Sequence, residues 1–284
     1  MVIDAFMFFN ELDLLEIRLN ELDSVVDQFV IVESLELHGS KKTRSACLAD
    51  NWGVVKSFEH KIKYVVLERL APEYTDPKSG WARENFHRNS LMTPVIELST
   101  SPDDVVVVSD CDEIPRASAI IEALPLMERG IHFLCLDLFY YNVNRYVCPW
   151  SRSTIGTLAD YQRAGGFQSP RGLLDMPPTT PYPVIPDAGW HFSYFGSLAG
   201  IRSKVGRILQ HGTSTFCQEF LARAYWEAAV DIASGNDLYR RAGQPQFSWR
   251  ESNDPRLPVH FLNNKTRYEK YTEDFFKAQN RVLL

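Results

Sequence analysis

The sequence predicts an open α/β sheet, mostly parallel and flanked by helices, followed by a loop-rich second half. Three observations predict it. In the first half, short apolar runs alternate with stretches of helical periodicity. One run, the valines at 105–108, is apolar at every position, as a strand covered on both faces must be. From residue 149 to 186 the composition shifts to Pro, Gly, Ser and Thr, which suits long loops with short strands.

The opening "MVIDAFMFFNE" is apolar but short, carries Asp4 and lacks a basic lead, so it reads as a first strand and not a signal peptide. Asn10 is placed to cap a helix with Glu11 and Asp13 in its first turn. Leu12, Leu15, Leu19 and Leu22 then line one helical face. "QFVIVES" (28–34) and "KIKYVVLE" (61–68) are short strands. Residues 81–98 read as one helix with Phe86, Met92 and Ile96 on its apolar side, kinked or shortened at Pro94. After the valines, Pro115 suits the first turn of a helix reaching Met127, and "IHFLCLDLFYY" (131–141) is a further strand. "CQEFLARAYWEAAVDIA" (217–233) and "RYEKYTEDFFKAQNRV" (267–282) are helical, and no internal repeat occurs. A single domain over 1–284 is the simplest division.

At 284 residues, 45% hydrophobic and 12% aromatic, the chain is long enough for a packed core. The formal charge of −6 and the lack of a basic block beyond Lys41-Lys42-Thr43-Arg44 argue against nucleic acid as a partner. Cys47, Cys111, Cys135, Cys148 and Cys217 are scattered, odd in number and without a CxxC pair. That speaks against a disulfide framework or zinc ribbon and for a reducing compartment. No apolar run approaches the roughly 18 residues of a membrane span, so a cytoplasmic chain is expected, with room left for peripheral membrane contact.

The candidate chemistry lies in "VVVVSDCDEIP" (105–115). Ligands of open α/β sheets bind beyond the carboxyl ends of the strands, which is where the valine strand delivers Asp110 and Asp112. If the backbone stays extended, alternate side chains face one way. Both carboxylates then offer hard oxygen ligands to Mg²⁺ or Mn²⁺. The plain alternative has Asp112 and Glu113 favouring the N-terminus of a helix at Pro115, which leaves Asp110 unexplained. In "WARENFHRNS" (81–90), Glu84 and Arg88 stand four apart as in an ordinary helix ion pair. Arg83, or Arg88 with Asn89 beside the acidic strand, can instead donate to a diphosphate. Glu33, at the end of its strand, either meets a nucleoside or is simply solvated. In "DAGWHFSYFG" (187–196), His191 lies between Trp190 and Phe192; a lone histidine among aromatics is more often a packed core residue than a ligand. Trp190, Tyr194 and Phe195 are either core or stacking faces for sugar.

A strand followed by Asp-x-Asp resembles the metal and nucleotide-sugar motif of GT-A glycosyltransferases. More narrowly, "FFNELDLLEIRLNELDSVVDQFVIVES" (8–34), "VVVVSDCDEIP" and "DAGWHFSYFG" resemble glycosyltransferase family 17 in order and spacing, over about two thirds of the chain. Eukaryotic members of that family add the bisecting β-1,4-linked N-acetylglucosamine to N-glycans. The resemblance implies a GT-A-like, Rossmann-like sheet, with a nucleotide-sugar half at 1–148 and an acceptor-side half with C-terminal helices at 149–284. It implies inverting, metal-dependent transfer of N-acetylglucosamine from UDP-GlcNAc to a glycan or glycoconjugate hydroxyl in β linkage. Asp110 and Asp112 then take the Mn²⁺ or Mg²⁺, and His191 completes the metal shell, with His211 its rival. Glu33, Arg83, Arg88, Asn89 and Trp190 contact the donor. Asp187 is the first choice for the base and Asp175 the second, ahead of Asp137 inside a strand. Eukaryotic members are anchored Golgi proteins, so this unanchored chain is expected to be a bacterial-type enzyme with a different acceptor.

Two other classes compete. A nucleotidyl- or phosphoryl-transferase uses the same metal–diphosphate geometry, but no G-x-x-x-x-G-K-[ST] cradle occurs. A non-catalytic glycan-binding module keeps the aromatics and has no use for Asp110 and Asp112 together. If those two acids repel one another, changing either to Asn should slightly stabilise the empty protein while abolishing metal-dependent binding.

Overall fold

The apolar runs assemble into one mixed sheet in a computed structural model that describes residues 1–75, 79–172, 182–209, 215–236 and 247–280. Its strands are β1 (Val2–Phe8), β2 (Gln28–Ser34), β3 (Ile62–Leu67), β4 (Val105–Asp110), β5 (Glu113–Pro115), β6 (His132–Tyr140), β7 (Arg145–Thr157), β8 (Val184–Ile185), β9 (Gly189–Ser193) and β10 (Ser248–Trp249). They run in the order β3-β2-β1-β4-β7-β6-β9-β5, with β10 beside β7 and β8 beside β6. The first four positions are parallel. β7 then enters antiparallel to β4, and β9 runs parallel to β6. This is the open, mostly parallel α/β sheet flanked by helices that the apolar runs predict.

The chain steps outward from β1 to β2 and β3, then returns to the other side of β1 as β4. Connections therefore leave in opposite directions at β1 and β4, which places a crevice beyond their carboxyl ends. The run of valines is explained by burial on both faces. Val105 and Val107 pack with Phe6, Ile31, Leu15 and Leu19 on one side. Val106 and Val108 pack with Ile3, Val30, Leu91 and Val95 on the other. Each valine so buried contributes roughly 2 kcal/mol, which holds the end of β4 firmly in place.

Several elements depart from the expectations. Glu11, not Asn10, occupies the cap position of helix Leu12–Leu22, and its carboxylate accepts from the amides of Phe9 and Asn10. The stretch expected as one helix is two, Ser79–Asn89 and Met92–Leu98. Pro94 falls in the first turn of the second, where its missing N–H breaks no bond. Pro115 closes β5, and the next helix begins only at Ala117–Ala123. β7 runs straight through Pro149, in a stretch expected to be loop. β4 pairs with Thr154–Thr157 and β10 with Arg145–Tyr146, so on that edge of β7 Pro149 falls between two ladders, while on the other edge it stands opposite Asp137 of β6. Residues 217–233 fall in two helices, Thr215–Ala222 and Tyr225–Ala233, and helix Leu198–Leu209 was not anticipated. Cys47, Cys111, Cys135 and Cys148 are free thiols. Among the described residues no helix is long and apolar enough to cross a membrane.

Candidate active site

A cavity of about 540 Å³ opens at the crevice, reached by Phe8 from β1, Ser34 from β2 and Asp110 from β4. That volume lies within the usual range of small-molecule sites. The backbone does not stay extended past Asp110; it turns at Cys111–Asp112 and comes back as β5. Both carboxylates nevertheless line the cavity.

Two buried side chains set this turn. Arg18, on helix Leu12–Leu22, grips Asp4 through Nε and Nη2 at 2.7 and 2.6 Å. It also donates to the carbonyls of Asp110 and Glu113 at 3.0 and 2.7 Å and to Ser109 Oγ at 2.6 Å. Glu113 works from the other side. It accepts from the Asp110 amide at 3.1 Å, Trp150 Nε1 at 2.7 Å and Ser153 Oγ at 3.0 Å. A satisfied buried network of this kind rigidifies what it holds, and a binding constellation needs that support.

The acids on the turn face protein cations. Asp110 receives Arg88 Nη2 at 2.9 Å and Arg171 Nη2 at 2.6 Å, one on each oxygen. Arg171 also pairs with Glu113 at 2.7 Å. Asp112 has Lys204 Nζ at 2.5 Å on Oδ2 and His191 Nε2 at 3.7 Å from Oδ1. Burial pushes the Asp112 carboxyl up, but the Lys204 ammonium and His191 outweigh it and hold the group well below the usual range. For Glu113, burial is likewise overcome by Arg171. The His191 ring lies 4.9 Å from that of Trp150, and its buried Nδ1 has no hydrogen-bond partner among the described residues.

The profile of glycosyltransferase family 17 matches residues 1–251. The chain belongs to glycosyltransferase family 17. The beta-1,4-mannosyl-glycoprotein 4-beta-N-acetylglucosaminyltransferase of Rattus norvegicus is 31% identical over 123 residues, covering 42% of this chain and 22% of that protein. The same-named protein of Homo sapiens is 31% identical over 123 residues, covering 42% and 23%. The match thus spans less than a quarter of the length of either relative. Of solved structures, the 2-C-methyl-D-erythritol 4-phosphate cytidylyltransferase of Francisella tularensis superimposes with a TM-score of 0.41 at 8% identity, over 73% of this chain and 100% of that one.

In this family 17 chain, the structure brings Asp110, Asp112, His191 and Arg88 to one cavity. Arg83 is buried one turn away, bracing Glu36 and the Leu37 carbonyl at 2.7 and 3.2 Å. Asn89 accepts from the Gln168 amide at 2.9 Å. Glu33 is fully buried and accepts from the amides of Cys47 and Leu48 and from Tyr64 Oη, beside Arg44. Trp190 packs in the core with Phe192 under Arg116, and its Nε1 donates to the Arg256 carbonyl. None of these four lines the cavity. Asp187 stands before β9, paired to Arg116 at 3.0 Å and 71% exposed, and does not line it either. Asp137 also lies elsewhere, in β6. Asp175 and His211 lie outside the described residues. Sequence reasoning missed Arg18, Trp150, Arg171 and Lys204. Arg18 had a signal, a charge inside the helix's apolar stripe answering Asp4 inside a strand. Arg171 and Lys204 had none.

The carboxylate pair is of the right kind for Mn²⁺ or Mg²⁺, while the imidazole is a softer ligand than these ions prefer. Among the described residues, however, no group of three His, Cys, Asp or Glu is set to hold an ion. The carboxylates fit such an ion in number and hardness only as Lys204 or Arg171 gives way.

Proposed function

We propose that this family 17 chain transfers a sugar, N-acetylglucosamine from a UDP donor, to a glycan hydroxyl with inversion, using Mn²⁺ or Mg²⁺. The observation that carries the reading is the rigid Asp110–Asp112 turn at the β1/β4 crevice, ringed by Arg88, Arg171 and Lys204. The names of the relatives support N-acetylglucosamine and a glycan acceptor. A divalent ion held by Asp110 and Asp112 supplies Lewis-acid neutralisation of the departing diphosphate. Arg88 and Arg171 present planar forks suited to phosphate oxygens. His191 Nε2 stands 3.7 Å from Asp112 at the edge of the same turn. An inverting transfer also needs a carboxylate facing the acceptor hydroxyl. Besides the turn, the described acids that line the cavity are Glu11, Glu36 and Glu84, which are candidates for the base alongside Asp175.

Calorimetric titration of UDP with and without Mn²⁺, alongside a release assay over UDP-, GDP- and CMP-sugars, tests the reading. UDP should bind at least about tenfold more tightly with Mn²⁺, the equivalent of about 1.4 kcal/mol, and UDP-GlcNAc should be the sugar nucleotide consumed. Failure of all three donors to bind or turn over would remove this function.

A further inference from the structure

We propose that Lys204 is the site's resident counter-cation: it neutralises Asp112 while the site is empty, competes with a divalent ion for that carboxylate, and turns to the donor's diphosphate once Asp112 is taken. The inference rests on the nucleotide-sugar reading above and assigns a role within the same site.

Its first support is placement. Lys204 belongs to helix Leu198–Leu209, outside the sheet. The helix is seated by Leu198, Ile201 and Val205, which pack with Tyr141, Tyr194 and Phe220. Ile201 and Val205 flank Lys204 on that helix, so packing and not the ion pair fixes where the lysine stem begins. From there Nζ reaches across 92 positions of sequence to Asp112.

The second support is the contrast between the three cations. Arg88 is held by Glu84 and Gln168 as well as by Asp110. Arg171 is held by Glu113 as well as by Asp110. Moving either arginine off Asp110 breaks a buried network. Among the described residues, Lys204 makes one ion pair, with Asp112. Its side chain is a quarter exposed, at 26%, and lines the cavity. Of the three it is therefore the one that can leave its carboxylate at least cost.

Charge balance supplies the third. Asp112 is buried, and a bare buried carboxylate is strongly unfavourable. A cation must cover it in the empty site, and a doubly charged ion covers it better than an ammonium. Once displaced, the ammonium keeps three donors on a flexible stem, beside Arg88 and Arg171 and facing the same cavity. Its positive charge then serves the phosphates.

The test uses the full chain as wild type, Lys204→Met, Lys204→Gln and Lys204→Arg. Mn²⁺ alone is titrated calorimetrically into each, and then UDP in saturating Mn²⁺. Lys204→Met and Lys204→Gln should bind Mn²⁺ about tenfold more tightly than wild type, because their competitor is gone, and UDP about tenfold more weakly. Lys204→Arg should stay within about twofold of wild type for Mn²⁺. Melting curves provide a second reading: Mn²⁺ should raise the midpoint of the neutral variants more than that of wild type. Equal or weaker Mn²⁺ affinity in both neutral variants, or no Mn²⁺ binding to any of the chains, overturns the role of Lys204. Wild-type Mn²⁺ binding without any UDP binding instead overturns the nucleotide-sugar reading, and the Mn²⁺ comparison still judges the competition.

Discussion

Asp112 is buried between Lys204 and His191, so its replacement by Asn removes the counter-charge of Lys204. Reasoning from two adjacent acids alone predicts relief of repulsion and a slight gain in stability. The pairing predicts the opposite sign. With Lys204 able to swing partly into water, the loss should be roughly 2 kcal/mol, below the full cost of breaking a deeply buried pair. Urea unfolding of the metal-free protein reads it directly, and an unchanged or higher midpoint would mean that Lys204 does not hold Asp112 in solution. Asp187 gives the contrary case. Its carboxylate is largely exposed, held by Arg116, and sits at the end of β9 away from Ser193 and Tyr194, which do line the cavity. Asp187→Asn should therefore leave sugar transfer within about twofold of wild type. A loss of about 10²-fold, the scale expected for removal of a general base, would return that role to Asp187.

Helix Leu12–Leu22 and strands β1, β4 and β5 meet at Arg18, and there an ion pair and a binding turn share one side chain. Arg18→Met leaves Asp4 buried without a partner and should cost about 4 kcal/mol. Adding Asp4→Leu replaces the pair with apolar volume and should recover most of that stability. In the double variant the Asp110 and Glu113 carbonyls both lose Arg18, and Glu113 retains Ser109 Oγ at 3.0 Å, so the turn is held less firmly and UDP binding should stay weak although the fold is restored. Urea unfolding and calorimetry on the two variants separate these effects; wild-type UDP affinity in the double variant would show that the turn needs no clamp. The same elements show what sequence can and cannot convey. β1, β2 and β4 were legible because burial on both faces leaves an apolar run, and the Asp-x-Asp behind the last of them pointed to the crevice. β7 was hidden by Pro149, whose place between two pairings depends on neighbours far along the chain. Gly189 has a φ of +147° and would put a Cβ 2.2 Å from the Ile114 carbonyl, a requirement visible only once β5 lies against β9. Arg171 and Lys204 come from a loop-rich stretch and a peripheral helix, and only tertiary packing aims them at Asp110 and Asp112.

The molecule's response to pH follows from which charges it buries and which it keeps neutral. Its buried carboxylates Asp112 and Glu113 are held ionised by Lys204 and Arg171, so their contribution is present above their ordinary values of 3.8 and 4.5 and fades only in more acidic solution. His87 behaves differently. It lies buried on helix Ser79–Asn89 with Nε2 at 3.1 Å from the Val32 carbonyl, so Nε2 carries the proton and Nδ1 is left to accept from His38 Nε2 at 3.0 Å. Burial above all, with Arg88 adding to it, pushes the His87 pKa down from 6.5 to about 4. The unfolded chain therefore takes up a proton near pH 6.5, while the folded chain refuses it until about 4. Stability is full above the unfolded value and falls as pH drops through this window, by up to about 1.4 kcal/mol per pH unit. Between pH 7 and 5 the loss should be about 2 kcal/mol, before the carboxylates contribute. His260, also pushed down by burial, adds in the same direction. Urea midpoints of wild type and His87→Gln at both pH values test this, because glutamine keeps a donor for Val32 and cannot take the proton. The difference between pH 7 and 5 should shrink to the part left by His260. A variant that loses as much stability as wild type over that interval would place the proton uptake on another group.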